Sequence, residues 1–313
     1  MHHPRTGALV RVTTLALLWG SGFLWTRLAL DGGLTPAYLA TLRCALGAAV
    51  LLALARAARQ TLPRDRRTWR HLAVAALLCN ALPFLLTSIG QQSVDSGVAG
   101  VLHATTPLWS LLLALTVGSE HRPHPARLAG LLLGFAGTLL IFAPGPHSRL
   151  DPAGVTALLA AAASYALAYA YMARHLTGRD APLAHSAAQL LAATGLTALA
   201  LPAATPPTAP TATGLTAAII LGTLATGVTF HLNARLIATE GPTTAAAVGY
   251  LLPAVAVTLG AAVLDEPLTG RTVTGTAVVL AGVALTRRRP RPADPPTPRP
   301  AGARPPERHP ARR

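Results

Sequence analysis

The chain has 313 residues, of which 51% are hydrophobic and 12% charged, with a formal net charge of +15. Its long uncharged runs exceed what a soluble core needs and suit membrane spans of about 20 apolar residues each. The positive charge does not point to nucleic acid: all 26 basic residues are arginine, mostly in loops and at the C-terminus rather than on one binding face.

Ten segments read as spans in chain order: 9–30, 36–55, 71–90, 94–118, 126–143, 152–172, 182–201, 214–234, 242–263 and 270–286. The expected fold class is all-α integral membrane, because no segment shows the alternation of a barrel strand. Arg5 and Arg11 precede an apolar stretch as they would in a signal peptide. That segment is long, lacks a small-residue cleavage site and is followed by nine others, so it reads as a helix. Several segments are rich in Ala, Gly and Thr, which suits close helix packing. Cys44 and Cys79 fall inside helices as small apolar packers. CxxC, HExxH and zinc spacings are lacking, so no metal and no cofactor is expected. From Arg287 onward the Pro/Arg-rich tail has too little apolar content to fold. It is read as disordered and cytoplasmic, either a plain topology anchor or a segment lying on anionic lipid.

The chain repeats itself at an offset of 146 residues, from Trp19 and Tyr165 to Glu120 and Glu266. Phe23 falls on Tyr169, Pro36 on Pro182 and Pro107 on Pro253 without a gap. The arginines obey opposite rules in the two copies. The linker Arg56 to Arg70 holds six, and its counterpart, 202–216, holds none. With ten spans and the N-terminus inside, the inner loops carry most arginines, which is the positive-inside rule and sets both termini in the cytoplasm. Five helices per copy then force the second copy in from the opposite face. The expected organisation is a first repeat over 1–146, an inverted second repeat over 147–286 and a tail over 287–313. Inverted repeats are a common plan for secondary transporters.

LLWGSGFLWTRLAL, TPAYLATLRCALGAAVLL and SVDSGVAGVLHATTPLWSLLLALTVGSE resemble the EamA-type drug/metabolite transporters, as does RLAGLLLGFAGTLLI. EGPTTAAAVGYLLPAVAVTLGAAVLDEPLTGRTVTGTAVVLAGVAL repeats the theme in the second copy. The resemblance covers nearly the whole chain except the tail. It implies ten helices, two inverted repeats, a central cavity and movement of small organic solutes, commonly outward. His103 departs from the pattern, standing where such sequences usually carry a small or apolar residue.

Polar groups inside hydrocarbon are costly and should face the bundle interior. Asn80, Phe84, Thr87 and Gln91 share one face of the third segment; Thr226, Phe230 and Asn233 share one face of the eighth, with His231 beside them. Each stripe either lines a cavity or bonds helices together. Pro107 and Pro253 lie at matching positions and free the carbonyls of His103 and Gly249, marking either hinges near a midplane site or packing kinks. His103 shares its face with Thr106 and Ser110, and Tyr250 lies three residues before Pro253. Trp19 with Phe23, and Tyr165 with Tyr169, form i, i+4 aromatic pairs that either stack on a solute or fill the repeat interface. Arg43 lies about two turns into the second helix, with Gln189 as its repeat partner. An intramembrane arginine is a functional candidate by default, against the alternative of snorkelling to the surface. Arg27 and Asp31 read as a boundary ion pair. Glu120 and Glu266 read as caps of the following helices or as gates. A metal site at Glu120, His121 and His124 is not favoured.

The function read from these features is a secondary transporter of a small organic solute working by alternating access, with an outward direction inherited from the resemblance. Its solute-binding set is Trp19, Arg43, Asn80, Thr87, His103, Tyr165, Gln189, His231, Asn233 and Tyr250. Pro107 and Pro253 serve as hinges, and no residue is catalytic. The alternatives are a passive channel or scaffold, and a polytopic membrane enzyme; Gly20-Ser21-Gly22 lacks the spacing of a nucleophile elbow. No phosphate-binding loop is present. Protons are a candidate partner through His103, His231 or His185, and uncoupled carriage is the other option. Gly130 and Gly134 pack either within the bundle or against a second copy in a homodimer.

Overall fold

The computed structural model describes residues 4–116, 125–142, 151–176 and 181–286, and all regular elements among them are helical. Glu120, His121, His124 and the tail lie outside these residues, and within α12 the side chain of Tyr250 is not described. The first repeat contains α1 (Pro4–Gly20), α2 (Gly22–Asp31), α3 (Pro36–Ala57), α4 (Arg66–Ala76), α5 (Leu82–Gly90), α6 (Ser96–His103), α7 (Thr106–Thr116) and α8 (Pro125–Phe142). The second contains α9 (Pro152–His175), α10 (Pro182–Ala198), α11 (Ala212–Gly222), α12 (Thr229–Leu264) and α13 (Gly270–Thr286). Among the described residues seven helical stretches are long and apolar enough to cross a membrane, and Leu128–Ile141, Leu251–Leu264 and Gly270–Leu285 are shorter apolar helices.

Local chemistry explains the boundaries. Pro36, Pro152 and Pro182 stand in the first turns of their helices, where a missing N–H is no loss. Asp65 accepts from Thr68 N at 2.6 Å and Thr211 from Gly214 N at 3.1 Å, capping α4 and α11. Ser21 separates α1 from α2 only nominally, since Ser21 N donates to Leu17 O and Trp25 N to Ser21 O.

Three departures from the expected segments matter. First, α4 reaches α5 through a π turn, Leu77–Ala81, and α11 reaches α12 through another, Thr223–Val228. They begin at positions related by the 146-residue offset. Pro83 has no N–H for the carbonyl of Cys79, which accounts for the first. In the second, the Thr226 hydroxyl donates to Leu221 O five residues back, at 2.8 Å. Second, Pro107 breaks its helix and Pro253 does not. The chain leaves helix at His103, and the Thr105 and Thr106 hydroxyls take the carbonyls of Leu102 and His103 at 2.6 and 2.7 Å. Third, the expected loop between the eighth and ninth segments is absent, and α12 runs through it. A Cβ on Gly22 would meet Leu221 and Ala225, and one on Gly20 would meet Val255. Ala225 and Val255 would stand about 45 Å apart on a straight helix. The chain therefore folds back within α12, which is helical from Thr229 to Leu264.

Two helix pairs exchange members under the offset. Ala40, Cys44 and Ala48 of α3 meet Ala184, Ala187 and Leu190 of α10 in one buried cluster. Similarly, α8 packs on α13, where a Cβ on Gly282 would overlap the backbone of Gly134 and one on Gly137 would lie 2.7 Å from Val279 N. Gly134 is thus occupied inside the chain. Opposite that seam, Leu132 and Leu139 are 71% and 70% exposed, as suits a lipid-facing surface.

Gly282→Leu should lower stability by about 1–3 kcal/mol through overpacking, whereas Gly195→Ala, with open space around it, should be neutral or gain up to about 1 kcal/mol. Thermal unfolding in detergent measures both.

Candidate solute site

Arg43 is the centre of the site. It lies on α3, only 8% exposed, held between the repeats. Its Nε donates to Thr226 Oγ1 at 2.9 Å, and its guanidinium carbon lies 3.7 Å from the centroid of the Phe84 ring. Snorkelling is thereby ruled out: the charge is turned into the bundle, and an aromatic face takes up part of it. The second repeat supplies the matching contact. Gln189 Nε2 donates to Asn80 Oδ1 at 2.7 Å. Adding 146 to Arg43 gives Gln189, and subtracting it from Thr226 gives Asn80. The two bonds are one contact, made twice in exchanged roles, and each acceptor sits in a π turn.

Arg43, Trp19, Thr87, His103 and Tyr165 line one cavity together with Gly22, Phe23, Thr26 and Leu252. Its volume is about 20 Å³, enough for a water. Three rings of its wall, Phe23, His103 and Tyr165, continue into a fourth, Tyr169, beyond it. Phe23 meets His103 edge-on at 5.7 Å, His103 meets Tyr165 edge-on at 4.9 Å, and Tyr165 stacks with Tyr169 at 6.2 Å. Tyr169 belongs to a second, larger cavity of about 380 Å³, lined also by Leu72, Met172, His185 and Gln189. Tyr165 and Tyr169, one turn apart on α9, thus face different cavities.

Five of the ten expected binding residues meet at the first cavity. Gln189 reaches the second, and Asn80 is fully buried behind it as its hydrogen-bond partner. His231 and Asn233 line neither, although His231 Nδ1 is buried without a partner among the described residues. Gly22, Thr26 and Leu252 were missed. Thr26 was accessible to sequence reasoning, since Trp19, Phe23 and Thr26 follow helical spacing on one face.

The two ends of the bundle differ. Where α2 ends and α6 begins, Glu266 accepts from Ser96 N at 2.6 Å and Gly97 N at 2.9 Å. It therefore caps α6 of the other repeat, not the helix that follows it, because a carboxylate there answers the unpaired N–H groups of α6. Arg27 donates to Asp31 at 2.9 Å and to Gln91 O at 3.0 Å, and Gln91 Nε2 donates to Phe23 O at 2.9 Å. Thr35 donates to Thr205 O and Thr211 N to Gly32 O, tying the repeats again. At the opposite end Arg11 pairs with Glu240, and His71, Tyr171 and His175 cluster beside the larger cavity.

Burial, with neighbouring Glu266 adding to it and Arg27 opposing it, holds the Asp95 carboxyl above its usual range. A raised carboxyl favours the fold below its unfolded pKa and forfeits that contribution as pH rises through the folded value. Asp95→Asn should therefore raise the melting temperature at pH 7, and the gain should shrink as pH falls toward about 4; a melting series across pH measures it.

Against known proteins, the EamA-like transporter family model matches residues 7–143 and again 152–288. The inner membrane transporter YedA of Escherichia coli is 27% identical, with 85% of this chain and 84% of that one aligned. A protein of Streptantibioticus cattleyicolor named as a probable terminal-alkyne amino-acid exporter is 29% identical over 87% of this chain and 90% of its own. The match to transporter YdfC of Bacillus subtilis, at 30% identity, spans 51% of each chain. A solved crystal structure shares the fold with a TM-score of 0.63 and 23% identity, over 90% of this chain and 96% of that one. The three named relatives bear transporter or exporter names, and none of them is named as an enzyme. Two matched copies covering most of the chain show that this multi-span membrane protein belongs to the EamA-like transporter family.

Proposed function

We propose that the protein is a ten-span secondary transporter of a small organic solute, built from inverted repeats over 1–146 and 147–286, working by alternating access around Arg43. The observation that carries this reading is the pair of unequal cavities. The inner cavity, about 20 Å³, has room for a water but not for an organic solute. The larger one stops short of it at Tyr165, Tyr169 and the Gln189–Asn80 bond, while the far end is closed by Glu266 and Arg27. A fixed pore has no use for an occluded centre. Solute must enter by relative movement of the halves, with the break at Pro107 as one hinge and Pro253, inside a bent α12, as the other.

The larger cavity opens among the start of α4, the end of α9 and the start of α10. These are the ends nearest Arg56 to Arg70, Arg174 and Arg179. The positive-inside rule makes that side cytoplasmic, together with both termini. Loading from the cytoplasm toward a closed outer end suits an exporter in the plasma membrane, and the exporter from Streptantibioticus cattleyicolor supports that direction. Were movement coupled to protons, His103 and His185, facing the inner and the larger cavity, would carry them; His231 lies outside both. A homodimer draws no support from Gly134, which is spent on α13.

Two experiments test the reading. Reporter fusions should place both termini in the cytoplasm; an external C-terminus ends the inverted scheme. Linking Gly97→Cys to Glu266→Cys with a short thiol crosslinker should abolish solute flux in proteoliposomes while thiol reagents still reach a cysteine placed at Ser186. Undiminished flux across a completed crosslink removes the outer gate.

A further inference from the structure

The guanidinium of Arg43 is a charge without a countercharge. Among the described residues it has no carboxylate within ion-pair distance, and only its Nε is hydrogen-bonded to protein. Phe84 covers one face of the group and leaves its edge free. Nη2 is turned toward Gly22, where a Cβ would stand 4.0 Å away, on the cavity wall. Removal of such a cation from water is expensive unless a partner arrives. The other polar side chains on that wall, Thr26, Thr87, His103 and Tyr165, carry no carboxylate. The cavity therefore offers a planar fork of donors to an anion, aromatic walls to an apolar body, and no anionic partner to an ammonium group.

We propose that the solute is an organic monoanion, its carboxylate paired with Arg43 and its apolar part among Trp19, Phe23 and Tyr165, and that it moves by membrane potential without proton exchange. The proposal rests on the transporter reading and names the chemistry of that same site. The energetics agree. Among the described residues every Asp and Glu lies at a helix end or in a loop except Glu240, which ends the apolar stretch Ala212–Glu240 and pairs with Arg11, so no carboxylate is placed mid-span to carry protons. A cytoplasm that is negative inside drives a monoanion outward, and about 100 mV shifts its equilibrium roughly fifty-fold. Arg43 stays fixed in the protein, so the moving charge is that of the solute. Gln189, its neutral counterpart, receives the same carboxylate by hydrogen bonds alone on the cytoplasmic side, at the larger cavity.

The test uses the full-length protein and four probes that share a benzyl group: phenylacetate, phenylalanine, phenethylamine and phenylacetamide. Phenylacetate should raise the melting temperature in detergent and the other three should not, because only a ligand that binds the folded state stabilises it. Arg43→Gln should abolish the shift, and Arg43→Lys should weaken binding about tenfold, since a point charge replaces a fork. Should Arg43→Gln fail to fold, the wild-type series and Arg43→Lys decide. In proteoliposomes, with leak in protein-free vesicles subtracted, a potential negative on the loaded side should speed labelled phenylacetate efflux severalfold. A pH gradient at fixed potential should leave it unchanged. Efflux that follows the pH gradient and ignores the potential overturns the uncoupled mechanism. Binding and movement of phenylalanine or phenethylamine in place of phenylacetate overturn the monoanion and leave the transporter standing. Movement of none of the four by folded protein overturns both.

Discussion

Inside a bilayer a polar side chain cannot fall back on water, so each must find a partner within the protein. The rest of the structure depends on how two such side chains, Arg43 and Gln189, find theirs. Each reaches across the pseudo-symmetry axis to a residue in the other repeat's π turn, Thr226 or Asn80. The requirement is severe at these positions because α3 and α10 pack tightly on alanine, cysteine and leucine, leaving no room for a detour. The same two bonds therefore satisfy buried polar groups and join the halves at their midpoint. They also place the only charge of the cavity wall.

The π turns make the contacts possible. An extra residue in a helical turn rotates everything after it relative to what comes before, and such turns are rare outside functional positions. Here they expose Asn80 and Thr226 to the axis while the helices on either side remain packed. Different chemistry produces the two turns: a missing N–H at Pro83 in one, and a threonine hydroxyl answering a carbonyl in the other. Similar geometry from dissimilar residues means that the shape is retained where the side chains have diverged. Gly22, Gly47 and Gly222 serve the same end. A Cβ at Gly47 would press on Thr226 and Leu190, and one at Gly222 on Leu46, so bulk there would push the two polar pairs apart.

Much of this was legible in the sequence. The constant offset, the long uncharged runs and the one-sided arginines are properties of composition and position that need no coordinates. Arg43 stood out because a charge in an apolar segment has few explanations. Other features were hidden for physical reasons. Asn80 and Thr226 lay on anticipated polar stripes, but a stripe drawn at the period of an α-helix has no way to register a π turn, so Asn233, expected to share the face of Thr226, ends outside both cavities. Helix reversal within α12 was expected as a loop between the eighth and ninth segments. Pro107 and Pro253 looked equivalent, yet at the break the hydroxyls of Thr105 and Thr106 donate to the carbonyls of Leu102 and His103, the second of them released by Pro107. Leu251 and Leu252, the counterparts before Pro253, have no hydroxyl to offer. The partner of Glu266 lies 170 residues away in the other repeat, and only tertiary structure reveals it.

Symmetry and function pull in opposite directions at the axis. Two identical halves can exchange conformations at equal energy, which suits the alternating access proposed for this protein. An identical pair of arginines there would repel across a low-dielectric gap, and a pair of glutamines would offer no charge to hold an anion. Arg43 opposite Gln189 keeps the exchangeable geometry, one donor reaching one π turn in each half, while making the electrostatics one-sided. Phe84 and Phe230 follow the same logic, since both rings are present but only Phe84 has a cation to cover. The unequal pair thus gives the cavity an orientation: a solute with a charged end and an apolar end meets a charge on one side of the axis and a neutral amide on the other. The repeated hydrogen bonds hold the two halves in register, and the exchange of Arg43 for Gln189 between them gives the site its polarity.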